Sequence, residues 1–291
     1  MEQIPPYNFE SSYPYFYEQP RRRRFRNLFS GNKPQVNVIL FLLTILTTYL
    51  SYGAWYSLSI MSILLAHEMG HYLMCRKYGV RATLPFFIPF IPQLNPFGTM
   101  GAVIKMEARV PNRKALFDVG VAGPLAGLFF TIPSLIVGLK WSQVMPVSSY
   151  QGHAWVLGES LLFSQLSKLV IPDIPQDWDI FLHPLAFAGW AGLFVTALNL
   201  LPIGQLDGGH IVYALFGRHS KYVFGAAIGA FAINTVFYPG WVLLLILLIW
   251  FGYKHPPPTD DITPLDLKRR ILGVVTFIIF LLSFTPVPFK F

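Results

Sequence analysis

Three residues in one short run carry the clearest chemistry in this sequence: His67, Glu68 and His71, within Ala66-His67-Glu68-Met69-Gly70-His71. On an α-helix, residues four apart point nearly the same way, so His67 and His71 can hold one metal ion between them. Glu68 sits one step round the helix, within reach of a water on that metal. Two imidazoles and a carboxylate at this spacing are the zinc-hydrolase pattern, two ligands plus a general base. The setting is unusual, because Tyr56 to Leu65 is almost wholly apolar. A metal site there has to work inside a bilayer.

Composition points to the same environment. Of 291 residues, 54% are hydrophobic and 12% charged, about half the charged fraction of an ordinary soluble domain. The apolar residues fall in blocks long enough to cross a hydrocarbon core of roughly 30 Å. The pattern predicts an all-α polytopic membrane protein. Helices are expected near 36–52, 54–76, 115–139, 183–203, 222–236, 239–253 and 271–286, about seven spans. The fifth and sixth are short, with Asn234, Pro239 and Gly240 marking a tight turn between them. A single cysteine, Cys75, allows no intrachain disulfide and no cysteine zinc cluster. The apolar blocks exclude a soluble nucleic-acid binder, despite a net charge of +8.

Charge placement gives a topology. With the N-terminus in the cytoplasm, the inner segments 1–35, 77–114, 204–221 and 254–270, with Arg76, hold 19 of the 22 Lys and Arg residues. Residues 1–35, ending in Arg21-Arg22-Arg23-Arg24-Phe25-Arg26, read as a flexible basic tail, since a signal peptide begins its apolar core sooner. The tyrosines Tyr7, Tyr13, Tyr15 and Tyr17 belong to that tail. The outer loop 140–182 carries Trp141, Trp155 and Trp178 among prolines and acids, as an interface-lying segment does. The inner loop 77–114 is apolar, yet Pro85, Pro89, Pro92 and Pro96 forbid a regular helix. Gly98 to Met106 reads as a strand. Such backbone survives at membrane depth only where protein or a water cavity satisfies it. A re-entrant β-loop between helices two and three, packed on the metal helix, is therefore expected.

A catalytic zinc usually takes three protein ligands and a water. Among the 14 acidic residues, Glu68, Asp118 and Asp207 lie at or near bilayer depth, where an ionisable group is a functional candidate by default. Asp118 can pair with Arg113 or Lys114 at the inner end of helix three. Asp207 follows Asn199-Leu200-Leu201-Pro202 at the inner end of helix four, the same depth as His67 and His71, and can equally be a helix cap. Gly208 and Gly209 are expected to let helices approach closely. His210 is a candidate neighbour of the metal or an exposed helix-end residue. Cys75 reads as packing. His153, His219 and His255 read as solvated loop residues, and His183 as the start of helix four.

His67-Glu68-Met69-Gly70-His71 together with Asn199-x-x-Pro202-x-x-x-Leu206-Asp207-Gly208-Gly209 resembles the site-2 protease family of intramembrane zinc metalloproteases. The resemblance covers roughly residues 54 to 215 and includes Gly123-Pro124-Leu125-Ala126-Gly127, similar to that core's small-residue packing motif. It implies Zn2+ held by His67, His71 and Asp207, with Glu68 as catalytic base. It implies that Asn199 holds substrate backbone or a developing oxyanion. The Gly98–Met106 stretch takes the place of the family's re-entrant β-loop, so Gly98, Gly101 and Val103 are candidate substrate-binding residues. The chain then divides into a basic tail (1–35), an accessory helix (36–53), a metalloprotease core (54–215) and further helices (216–291). The outer loop is too short for the PDZ domain that many relatives insert. The implied partner is a single-pass transmembrane substrate within the lipid bilayer, cut by regulated intramembrane proteolysis. The sequence sets no oligomeric state. The rival reading, a metal-binding transporter or non-catalytic scaffold, predicts ionisable groups spread across the bilayer, and only one cluster occurs.

Overall fold

A computed structural model describes residues 34–107, 109–149, 156–252 and 255–290. Most of the basic tail, with its tyrosines and arginines, lies outside these residues, as do His153 and Trp155. The architecture is mostly helical: α1 (Pro34–Lys77), α2 (Arg113–Lys140), α3 (Leu161–Val170), α4 (Pro184–Asn199), α5 (Asp207–Phe216), α6 (Ser220–Phe237), α7 (Val242–Gly252) and α8 (Leu267–Ser283). Six short strands make three two-stranded antiparallel sheets: β1 (Phe86–Pro89) with β2 (Thr99–Val103), β3 (Gln143–Pro146) with β5 (Trp178–Phe181), and β4 (Val156–Leu157) with β6 (Phe289–Lys290).

Among the described residues, three helical stretches are long and apolar enough to cross a membrane: Pro34–Lys77, Arg113–Lys140 and Asp207–Phe237, the last joining α5 and α6. The protein is an integral membrane protein. Helix α1 is two arms. Tyr52 (φ −145°, ψ 20°) and Gly53 (φ 80°, ψ −170°) leave the helical region, and only glycine takes that positive φ without strain. Ser57 Oγ meets Thr48 Oγ1 at 2.8 Å and donates to Ile45 O at 3.1 Å. Residues 45 and 57 would stand about 18 Å apart along a straight helix, so the arms fold back on one another.

The second arm of α1, α2 and α4 form the centre. Their close approach depends on small residues, with Gly138 against Ala186, Gly189 against Leu135 and Gly192 against Thr131. Buried Tyr56, Ile60, Leu135, Phe187 and Trp190 fill one end of this bundle, and Leu116, Phe117, Ile211 and Val212 the other. Asn112 caps α2 by accepting from the Ala115 N–H at 2.9 Å, worth about 1 kcal/mol.

Between α1 and α2 the chain forms a β-hairpin rather than plain loop. Phe86 pairs with Val103, Phe87 with Ala102 and Pro89 with Thr99. The extra residue on β2 is absorbed at Met100–Gly101, where Gly101 has φ +93°, the geometry of a glycine bulge. Part of the proline-rich stretch is therefore a strand. Pro89 is tolerated because it sits at the strand's end beside the bulge. The hairpin's carbonyls find partners on α1: Asn37 Nδ2 donates to Leu84 O (3.1 Å) and Pro85 O (2.7 Å), and Tyr56 OH to Phe97 O (3.0 Å).

Asp118 pairs with neither Arg113 nor Lys114. Its carboxylate takes the Arg269 fork, Nε to Oδ1 at 2.8 Å and Nη2 to Oδ2 at 2.7 Å, plus the Tyr78 hydroxyl at 2.5 Å. Asp266, the N-cap of α8, also binds Arg269, which holds its carboxyl below the usual range together with the Arg269 backbone N–H, the larger cause. Arg113 turns instead to Ala214 O at 2.9 Å. One arginine thus ties α8 to α1 and α2. Replacing Arg269 by Ala should destabilise the fold by about 1.5–3 kcal/mol, the worth of hydrogen bonds to a charged group. A thermal melt in detergent would read this as a lower transition, with Lys268→Ala as the surface control.

Candidate metal centre

Three elements converge on one point. The second arm of α1 brings His67, Glu68 and His71, α5 brings Asp207 from its first turn, and α4 ends at Asn199. His67 Nε2 and His71 Nε2 lie 3.1 Å apart, and each lies beside Asp207 Oδ2, at 3.2 and 3.3 Å. His67, Glu68 and His71 are buried.

Those three separations test the fit of a metal. A tetrahedral zinc with bonds of about 2.0–2.1 Å places its ligand atoms about 3.3 Å apart. Two imidazole nitrogens and a carboxylate oxygen at 3.1–3.3 Å match that edge length. Among the described residues, this is the one group of three or more His, Cys, Asp or Glu side chains so gathered.

The surroundings orient the ligands. His71 Nδ1 lies 2.8 Å from Val119 O. A carbonyl only accepts, so Nδ1 carries the proton and Nε2 presents its lone pair to the centre. Gly123 faces the His71 ring so closely that a Cβ there would overlap it, and a Cβ at Gly127 would stand 3.3 Å from His67 Cβ. The small residues of α2 therefore leave room for the two imidazoles. Glu68 accepts from the Ile104 N–H, the residue just after β2, and Asn199 Nδ2 approaches His67 Nε2 at 3.1 Å.

Gly208 and Gly209 let α5 approach the C-terminal end of α4 and the turn that follows it. Side chains there would strike Leu200 O and Gly204 O, so the pair tucks α5 under the turn that follows α4. That turn places Asp207 against the histidines. Gly98 (φ +65°) packs on Thr47 and Ser51 in the first arm of α1, away from the three ligand atoms, while Gly101 faces open space. Lys105 turns its backbone toward Thr83 on the β1 side. Val103 is exposed at the end of β2, next to Ile104, whose N–H reaches Glu68.

Cys75 is buried against Met106, its Sγ 3.3 Å from the Met106 sulfur. His183 is the N-cap of α4, and His219 stacks on Tyr222. His210 and His255 form a pair the sequence does not announce, Nδ1 to Nε2 at 2.6 Å, with Tyr213 stacked on His255. Burial lowers the His255 pKa. This loop is docked rather than solvated: Thr259 N and Asp260 N donate to Val110 O and Pro111 O, both at 2.9 Å. A 45-residue separation between a histidine on α5 and one in a loop left no signal in the sequence.

Comparison with known proteins agrees with this centre. The family model described as "Peptidase family M50" matches residues 55–247. The chain belongs to peptidase family M50. Among similar M50 relatives, a rice (Oryza sativa subsp. indica) protein named "Probable zinc metalloprotease EGY2, chloroplastic" is 32% identical over 82% of this chain and 43% of its own length. The Arabidopsis thaliana protein named "Probable zinc metalloprotease EGY1, chloroplastic" is 30% identical over 78% and 42%. A rice protein named "Probable zinc metalloprotease EGY3, chloroplastic" is 33% identical over 78% and 41%. The chain spans about two-fifths of the length of these relatives. No solved structure matches it.

Proposed function

We propose that this chain is a zinc-dependent intramembrane endopeptidase, cutting peptide bonds within or near the transmembrane segments of membrane-protein substrates. The observation that carries the reading is the set of three ligand atoms, from His67, His71 and Asp207, at tetrahedral-edge spacing beside Glu68. Membership in M50 and the names of the relatives support zinc as the metal.

His67 Nε2, His71 Nε2 and Asp207 Oδ2 would hold the ion. When bound, zinc supplies Lewis acidity, acidifying a water and drawing charge from a peptide carbonyl. Glu68 takes the proton of the attacking water and returns it to the leaving amine. The Ile104 N–H, by bonding the Glu68 carboxylate, aims it. The Asn199 amide, whose Nδ2 lies 3.1 Å from His67 Nε2, is close enough to the centre to offer an N–H to the carbonyl oxygen as negative charge develops there once Nε2 is taken up by the ion. Val119 O keeps His71 in the tautomer that ligation needs.

A substrate helix shields its peptide bonds in its own hydrogen bonds and has to unwind before it is cut. The edge of β2, through Ala102 and Ile104 and with Gly101 as a side-chain-free gap, suits capture of that stretch by strand addition. The hairpin is read as re-entrant because its polar backbone is bonded within protein, as membrane depth requires. The distribution of Lys and Arg supports an N-terminus, and an entrance to the site, on the cytoplasmic side. The helices of 36–52, 183–203, 239–253 and 271–286 are read as further spans, about seven in all, and residues 54–215 as the catalytic core. A transporter or scaffold is disfavoured because, among the described residues, one group of three or more metal-capable side chains is gathered, and it sits beside Glu68.

The test is metal content and turnover together. In the purified protein, Asp207→Ala should lower bound zinc from about one per chain to a minor fraction, measured by elemental analysis. Chelation of the wild type should abolish cleavage of a membrane-spanning reporter, and zinc should restore it. Unchanged zinc in Asp207→Ala would remove Asp207 from the ligand set.

A further inference from the structure

After α8, the segment Thr285–Lys290 bends through Pro286–Pro288 into β6 against α4 and is held at several points. Pro286 O accepts from Trp241 Nε1 at 2.7 Å and Asn234 Nδ2 at 3.3 Å. Pro288 O accepts from Gly158 N at 2.9 Å, and β6 pairs with β4 through Leu157–Phe289 and Val156–Lys290. Gly158 must be glycine, since a Cβ would overlap Val287 O, and its own carbonyl takes the Trp190 indole N–H at 2.8 Å. Thr285 is buried.

The end of this segment lies where the two walls of the site meet. One wall is the hairpin: Ile104 bonds Glu68, and Phe97 sits two residues before β2 at the other end. The second wall is α4, where Phe194 and Trp190 precede Asn199 by five and nine residues, about 7.5 and 13.5 Å along the helix. Phe97 stacks on Phe194 at 6.1 Å and Trp190 at 6.3 Å. The Phe289 ring closes the same cluster, 6.2 Å from Phe97, 5.7 Å from Trp190 and 6.5 Å from Phe194. An extended chain laid along β2 beside Glu68 leaves through this aromatic cluster.

We propose that Thr285–Lys290 is an internal stand-in for substrate, seated on a docking surface made by Phe97, Trp190 and Phe194. The inference rests on the protease reading above and names the partner of that same site. The partner is an unwound, apolar stretch of the substrate's membrane segment bearing a large side chain. The seated residues, Thr285-Pro286-Val287-Pro288-Phe289-Lys290, have that chemistry. Four of the six, Pro286 to Phe289, are apolar, Phe289 supplies the large aromatic side chain, and two prolines keep the stretch out of a helix. Continuity of the surface with β2 and Asn199 selects substrate over bulk lipid, which needs no extended backbone or strand partner. Substrate has to displace the segment to reach Glu68.

The test uses the full chain in lipid vesicles with a membrane-spanning reporter. Val156 and Lys290 are exposed strand partners, and such pairs stand about 4.5–5.5 Å apart at Cα, within disulfide range. In Val156→Cys/Lys290→Cys, oxidation by oxidised glutathione should lower cleavage at least about tenfold, and a phosphine reductant should restore it, because locking the strand removes the docking surface. Phe289→Ala should act oppositely, lowering KM by about threefold to tenfold with kcat little changed, since its tilted and edge-on aromatic contacts no longer compete with substrate. Equal Glu68-dependent cleavage in the oxidised and reduced forms overturns the inference. So does an unchanged or higher KM in a Phe289→Ala protein of normal zinc content and melting temperature. If wild type, reduced and Phe289→Ala proteins all show no cleavage that depends on Glu68, the protease reading falls, and this inference with it.

Discussion

Replacing Glu68 by Gln should leave zinc bound and lower reporter cleavage by about a hundredfold to ten-thousandfold, the usual contribution of a positioned general base. The side chains are nearly the same size, so packing around this buried position is kept. The amide can still meet the Ile104 N–H through its carbonyl oxygen, so the hairpin stays seated. What is lost is a site for the proton. Elemental analysis separates the outcomes: full zinc with no cleavage supports the base role, while full zinc with wild-type cleavage sinks it. Fragments released in a membrane proteome by wild type but absent with Glu68→Gln would then identify substrates.

The second large effect is expected from a residue that touches no substrate. A Cβ at Gly123 would overlap the His71 ring. Gly123→Ala therefore forces either His71 away from His67 and Asp207 or α2 away from α1. Overpacking of this kind costs about 1–3 kcal/mol in ordinary cores, and misorienting a metal ligand lowers affinity about tenfold to a hundredfold. The expected result is weaker zinc binding by competition with a chelator, and cleavage that recovers at excess zinc. Gly229→Ala is the control, since nothing stands within 4 Å of a Cβ at that position. Normal zinc affinity in Gly123→Ala would mean that α2 shifts freely, and that Val119 O does not set the tautomer of His71.

How much of this was legible in the sequence depended on range. His67 and His71 are one helical turn apart, so their juxtaposition follows from helix geometry alone. The break of α1 was readable from Gly53, and the non-helical nature of residues 84–96 from their prolines. Asp207 and Asn199 needed the family motif, because residues alone left Asp118 and a helix cap open. The partner of Asp118 is 151 residues away on α8, and no local pattern distinguishes Arg269 from its neighbours Lys268 and Arg270. The predicted helix over 183–203 ends early, at Asn199, because Pro202 and Gly204 favour the turn that aims Asp207. The seat of 285–290 was hidden for the same reason as the arginine clamp. Its partners, Gly158, Trp190 and Trp241, are scattered over more than eighty residues.

The fold-back at Tyr52–Gly53 makes the first arm of α1 a lever with its fulcrum at a single glycine. Its far end grips the hairpin through Asn37, and Thr47 and Ser51 lie against Gly98 nearer the pivot. Asn37 stands about 24 Å along the helix from Gly53. A swing of about 10° at the fulcrum therefore carries that grip through about 4 Å, close to the spacing between neighbouring strands. An arm remote from the metal thus holds both ends of the hairpin whose far side reaches Glu68 through Ile104.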